Sequence, residues 1–232
     1  KINTINLLEV PNQTFLEAID LNTPASESKK RRLEKLKKYK NLKISYETIA
    51  THDVASSIDN ITGQSKCKWL VMEWDGRENA GIFVGNPIGW LLRKVNSNLA
   101  LFKDNGVRSF SKVLIALRPG RRNQAFIDVA DEICQHFGAS LTLLNIISEN
   151  ERKTAALQKT SEEVISSTKS KSELKIVKSS NPVETISEES ASYDLLILGT
   201  PEKDNWISVL FGIGEDRFVK MAACSVLRLT IR

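Results

Sequence analysis

The sequence repeats itself. At an offset of 127 residues, Lys68-Trp-Leu-Val-Met72 lies on Leu195–Gly199 and Phe83-Val84-Gly85 on Leu210-Phe211-Gly212. Leu99-Ala-Leu-Phe102 lies on Val226-Leu-Arg-Leu229, and the alignment between these points needs no gap. Further upstream, Asn3–Val10 resembles Leu141–Ile147, and Lys43–Ile49 fits the segment at Glu173–Lys178. A repeat this long means duplicated domains, because solenoid repeats run only about 20–50 residues. Asp104-Asn105-Gly106 is a turn-forming linker. It divides the chain into a unit at 1–105 and a unit at 106–232.

The second unit is the easier to read. Lys112-Val-Leu-Ile-Ala-Leu117, Leu141–Ile147, Glu173–Lys178, Tyr193–Gly199 and Ser225–Ile231 are short apolar runs that predict strands. Near-continuous apolar runs are typical of parallel sheets covered on both faces. Between them, Arg121–Phe137 has helical spacing, with Phe126, Val129, Ala130, Ile133 and Phe137 on one face and Gly138 placed to stop it. Glu151–Thr168 predicts a polar surface helix. Asn181-Pro182 opens another as cap and first turn, and a last helix is expected from about Gly214 to Ala222. Alternating strands and helices predict a doubly wound α/β sheet.

The first unit lacks a counterpart of the strand and helix at Lys112–Phe137. The expectation is a fragment of a longer protein, because a sheet without its central strand leaves edges unpaired. A naturally abbreviated unit is the alternative. Hydrophobic residues make up 41% of the chain, enough for a core. No apolar run approaches the roughly 18–20 residues of a membrane span, and Lys1-Ile2-Asn3-Thr4 lacks the basic-then-apolar pattern of a signal peptide. Cys67, Cys134 and Cys224 are far apart, which suits buried thiols in a reducing compartment.

Phe137-Gly138-Ala139-Ser140-Leu141-Thr142-Leu143-Leu144, Asp194–Gly199, Phe211-Gly212 and Cys224-Ser225-Val226-Leu227 together resemble the universal stress protein family. The resemblance implies two repeated α/β units of that adenine nucleotide alpha hydrolase-like type. It also implies that Leu99–Lys103 and Val226–Ile231, each the last strand of its unit, pair with each other as a pseudo-dimer. Nucleotide-binding members carry G-x2-G-x9-G-[S/T], whose glycines let the backbone approach phosphates. Gly199 and Gly212 match, but Glu202 and Ile213 replace the other two positions. In the first repeat the four positions are Met72, Asp75, Gly85 and Asn86. The family's acidic residue at the end of its first strand is Arg118. Glu202 and Asp75 place negative charge where phosphate would sit. One reading is a residual anion or nucleotide site at Arg118, Gly199 and Gly212. The other is that these glycines serve only the backbone.

Arg118-Pro119-Gly120-Arg121-Arg122 is basic at a strand-to-helix loop, where open α/β sheets bind ligands. Positive charge is unfavourable at a helix start, so a bound anion would account for it. The densest basic run is Ser28-Lys-Lys-Arg-Arg-Leu-Glu-Lys-Leu-Lys-Lys-Tyr-Lys40, read as a helix that is either simply solvated or meets anionic lipid headgroups. His52 and His136 show no zinc spacing, no nucleophile elbow occurs, and no basic-aromatic stripe marks nucleic acid. The net charge of +5 is modest. No metal, cofactor or catalytic residue is expected.

The truncated start, Glu73-Trp74-Asp75-Gly76-Arg77 and Gly85-Asn86-Pro87-Ile88-Gly89-Trp90 further resemble the cytosolic C-terminal domain of prokaryotic cation–chloride cotransporters, carriers of the amino acid–polyamine–organocation superfamily. This implies a non-catalytic regulatory and dimerisation domain. It would be a homodimer at the cytoplasmic face of the membrane, next to a transmembrane transport domain. The alternative is a free-standing tandem universal stress protein that binds ATP or another adenine nucleotide.

Overall fold

The structure is a computed structural model, and it describes residues 1–73, 95–117, 123–147, 154–199 and 215–232. By contacts the chain divides into Lys1–Gln64 and Ser65–Arg232. This boundary is not the repeat boundary after residue 105, because the last two strands of the first repeat join the sheet of the second.

In the Lys1–Gln64 unit, β1 (Ile2–Glu9) and β2 (Ile44–Thr51) form a two-stranded parallel sheet, with Ile2 opposite Ile44 and Glu9 opposite Thr51. The crossover between them holds a 3-10 turn at Leu16–Ala18 and helix α1 (Pro24–Lys40). Thr23 caps α1 by accepting from the Ser26 amide, Pro24 fills the first turn, and Asn41 ends it in the left-handed region at φ 50°. Helix α2 (Val54–Ser65) follows β2. It starts where the Asp53 carboxylate accepts from the amides of Ala55 and Ser56 at 2.9 and 3.1 Å and from the Ser56 hydroxyl at 2.6 Å. The Ser56 hydroxyl does most to hold the Asp53 carboxyl below its ordinary range.

The Ser65–Arg232 unit is built on a seven-stranded sheet. Its strands are β3 (Trp69–Glu73), β4 (Asn98–Lys103), β5 (Lys112–Ala116), β6 (Ser140–Ile147), β7 (Ser172–Lys178), β8 (Leu195–Gly199) and β9 (Ser225–Thr230), in the order β3-β4-β9-β8-β5-β6-β7. Five of these, β7-β6-β5-β8-β9, are the complete parallel sheet of the second repeat. Helices α3 (Asn123–Phe137) and α4 (Thr154–Ser166) cover one face, where Phe126, Ile127, Ala130 and Ile165 pack on Val113, Leu141 and Ile197. Helices α5 (Pro182–Ser190) and α6 (Glu215–Met221) cover the other, where Ile186 and Val219 pack on Leu114, Leu196 and Val226. Coverage on both faces is why the strands are apolar at consecutive positions rather than alternate ones.

The pseudo-dimer is present. Strand β4 runs antiparallel to β9, with Leu99 opposite Thr230 and Lys103 opposite Val226. At the centre Leu101 faces Arg228, its own counterpart at an offset of 127, so an internal two-fold axis passes through this pair. The ends obey the same axis. The Asn105 amide donates to the Ser225 hydroxyl and the Arg232 amide donates to the Asn98 side chain, both at 3.0 Å. Lys103 Nζ adds a bond to the Val219 carbonyl at 2.8 Å, a cation at the C-terminal end of α6.

The repeat is not gapless. Trp69 and Leu195 both pack on the α3 face of the sheet, while Leu70 and Leu196 both face the α6 side. Register agrees: Trp69 lies opposite Asn98 and Leu195 opposite Ser225. So β3 matches β8 one residue off the offset that relates β4 to β9, and Glu73, not Met72, is the first-repeat counterpart of Gly199. Side chains alternate between faces along a strand, so a slip of one would have reversed the pattern.

Helix α3 is also rotated from the expected face. Phe126, Ile127, Ala130 and Cys134 are buried, whereas Phe137 is 42% exposed. Gly138, at φ +68°, ends the helix as expected, and the Ala139 amide returns to the Cys134 carbonyl at 2.9 Å. The turn of the helix buries Asp131, which accepts from the amides of Lys169 and Ser170 at 3.1 and 2.9 Å, from the Ser170 hydroxyl, and from Gln135 at 2.7 Å. Burial pushes this carboxyl up, but the four hydrogen bonds outweigh it and leave it below its ordinary value.

Two outcomes follow. The folded Asp131 binds its proton less tightly than the unfolded one, so its stabilisation is complete above the unfolded pKa and fades as pH falls through the folded one. Asp131→Asn should lower stability by about 2 kcal/mol at neutral pH and flatten the acid limb below about pH 4, measured by denaturant titration across pH. Residues 106–232 alone leave β9 without β4. Sedimentation should show that fragment self-associating with concentration, and a strict monomer would count against β9 as an adhesive edge.

Candidate functional site

The strand ends where a ligand would be sought are adjacent. β5 and β8 are parallel neighbours, with Ala116 opposite Leu198. The chain leaves β5 through Leu117 toward Arg118, and β8 ends at Gly199 beside it. This is the carboxyl edge of the sheet at the point where strand order reverses, the general ligand position of open α/β sheets. Gly199 is the site residue that lies within the described structure. Arg118 and Gly212 fall outside the described residues. So do Glu202, Ile213, Asp75, Gly85, Asn86, the rest of the Arg118–Arg122 loop, and Trp74, Trp90 and Trp206.

Gly199 has a steric reason to be glycine. A Cβ there would stand 3.1 Å from Leu117 Cδ2 and 3.2 and 3.3 Å from Cζ and Cε1 of Phe126. Its φ is not in the left-handed region, which among the described glycines belongs to Gly106 and Gly138. The glycine lets the Phe126 ring of α3 and the Leu117 side chain close over the end of β8. Of the two readings of Gly199 made from the sequence, the structural one has a physical basis here, though it is helix-to-strand packing and not a turn. In the first repeat the same position is Glu73, exposed at the end of β3.

Among the described residues no group of three or more His, Cys, Asp or Glu side chains is arranged to hold a metal. His52 is in the Lys1–Gln64 unit, its Nδ1 3.2 Å from the Val10 carbonyl. His136 is exposed on α3, edge-on to the Phe137 ring at 4.9 Å. Cys134 and Cys224 are buried free thiols. Burial and then the Asp131 charge push Cys134 up to about 12, and burial pushes Cys224 up to about 11. Both thiols therefore hold their protons more tightly than a free cysteine does, which disfavours the thiolate, the reactive form. Trp69 packs against the α3-side core. Ser161 is buried and accepts from Asn145, and the Ser170 hydroxyl donates to Asp131.

Two features escaped sequence reasoning. Helix α2 had a signal in Asp53, a good cap placed just before Val54, Ile58 and Ile61. Arg228 is buried, 3% exposed, in the middle of β9. One basic residue inside an apolar strand is a visible signal, but nothing in the sequence ties it to an internal axis.

No family model matches the sequence, and no curated protein matches it. Solved structures do. A universal stress protein from Archaeoglobus fulgidus superposes with TM-score 0.68 at 19% identity, over 100% of this chain and 86% of that one. A functionally unknown protein from Pseudomonas aeruginosa gives 0.63 at 11% identity, over 99% and 92%. The cytoplasmic domain of a prokaryotic cation chloride cotransporter gives 0.63 at 14% identity, over 100% and 96%.

If Gly199 is a packing glycine, Gly199→Ala should destabilise by about 1–3 kcal/mol, the usual cost of overpacking. Phe126→Leu in the same chain should recover part of that loss, read as a non-additive double-mutant cycle in denaturant titrations. Strict additivity would count against the contact. At these identities the likeness is one of architecture, and the chain has the universal stress protein fold.

Proposed function

We propose that this chain is the cytosolic regulatory and dimerisation domain of a secondary membrane transporter of the cation–chloride cotransporter type, without catalysis of its own. The observation that carries it is correspondence over the whole length with a domain of that description, covering 100% of this chain and 96% of the other. The closed surroundings of Gly199 fit a role without chemistry at the end of β8. No described helix is long and apolar enough to cross a membrane, and on this reading transport chemistry belongs to a separate domain. The homodimer uses a surface other than the β4 and β9 edges, because these already pair within the chain.

The second reading is a free-standing tandem universal stress protein that binds an adenine nucleotide. The TM-score of 0.68 with the Archaeoglobus protein favours it. The reading frame upstream of Lys1 separates the two. The transporter reading expects apolar spans of about 20 residues each there. A start codon preceding only one strand and one helix would overturn it. Calorimetry with millimolar ATP and Mg²⁺ should show no micromolar site. Micromolar binding abolished by Gly212→Val would favour the nucleotide reading.

A further inference from the structure

Helix α1 holds eight Lys or Arg and two Glu. Its counterpart in the second repeat, the crossover helix α4, holds one Lys and two Glu in its Thr154–Ser166 span. The two helices occupy the same place in the connection between paired parallel strands, β1 to β2 and β6 to β7. The fold therefore does not require the charge.

Nor do the charges neutralise one another evenly. Ser26 and Leu33 lie on the side of α1 turned inward, and Lys29 on that flank donates to Asn6 of β1 at 2.8 Å. Lys30 and Lys37 pair with Glu27 and Glu34 at 3.7 and 3.6 Å. Arg31, Arg32, Lys35 and Lys38 fall on the opposite stripe at helical spacing and pair with no described acid. Ser28, Arg31, Arg32 and Lys35 line one surface depression. Tyr39 continues this stripe and is 83% exposed, with Leu36 at 47% and Leu42 at 40% close by. Lys40 Nζ stands 5.5 Å from the Tyr39 ring centre.

We propose that the outward face of α1 docks on an anionic bilayer surface, with Arg31, Arg32, Lys35 and Lys38 on lipid headgroups and Tyr39 and Leu36 at the headgroup boundary. Charge complementarity selects an anionic partner. Exposed aromatic and aliphatic groups at the end of the same stripe select a bilayer over a nucleic acid, since they gain from an interface that is apolar below its charges. The surface belongs to α1 alone and is read without any transport domain, so its failure leaves the assembly proposed above untouched.

The test is flotation of the full chain with vesicles of phosphatidylcholine alone and of equal parts phosphatidylcholine and phosphatidylglycerol. Binding is expected to the anionic vesicles only, and it should weaken as salt is raised. Each basic residue at such a surface changes partitioning about fivefold, so R31Q/R32Q/K35Q should lower it about a hundredfold. K169Q/K171Q/K178Q removes the same charge from exposed lysines elsewhere and should change it less than about threefold. Glutamine is a good helix former, so circular dichroism should stay unchanged in the first variant. No binding to anionic vesicles, equal losses in the two variants, or tighter binding of duplex DNA than of vesicles would each overturn the proposal.

Discussion

The antiparallel ladder between β4 and β9 is the contact that organises the Ser65–Arg232 unit. Every other strand pair in its sheet is parallel and joins strands of one repeat. This one joins the two repeats about an axis through Leu101 and Arg228. It covers one edge of each repeat, β4 and β9, which is a common remedy for an adhesive sheet edge, and leaves β3 and β7 as the outer strands. The closing bonds at Asn98 and Ser225 have the same symmetry. The contact boundary after Gln64 agrees with this ladder, because β4, and β3 through it, belong to the same sheet as the second repeat.

The axis is kept in the backbone and broken in the side chains. Leu101 and Arg228 are equivalent by position, and both are buried. Gly199 and Glu73 are equivalent by register, yet one is closed under Phe126 and the other ends an outer strand. Helices α1 and α4 are equivalent by topology, yet only α1 carries a cationic face. Duplication has preserved the main-chain frame, whose hydrogen bonds are obligatory once buried. It has left the two copies chemically different wherever a side chain does not decide the frame.

Most elements were legible because their signals are local. Lys112–Ala116 and Leu195–Gly199 form strands as their apolar runs predict, and Asn181, Pro182 and Gly138 cap or stop helices as their chemistry predicts. The expected pairing of the last strands also holds. What failed was fine position. The exposed Phe137 and buried Ile127 show that a helix face read from spacing alone can be a residue out. In β3 the gapless alignment gave Met72 where sheet register gives Glu73.

The sequence by itself determined the class of fold, the duplication, the order of strands and helices in the second repeat, and the cationic run of α1. These rest on composition and periodicity, which need no partner to be read. Tertiary structure alone decided which residue faces which, because register and burial depend on elements far apart in the chain. It set Gly199 beside Leu117 and Phe126, put Arg228 on an internal axis, and left Arg31, Arg32, Lys35, Lys38 and Tyr39 together on an outward face.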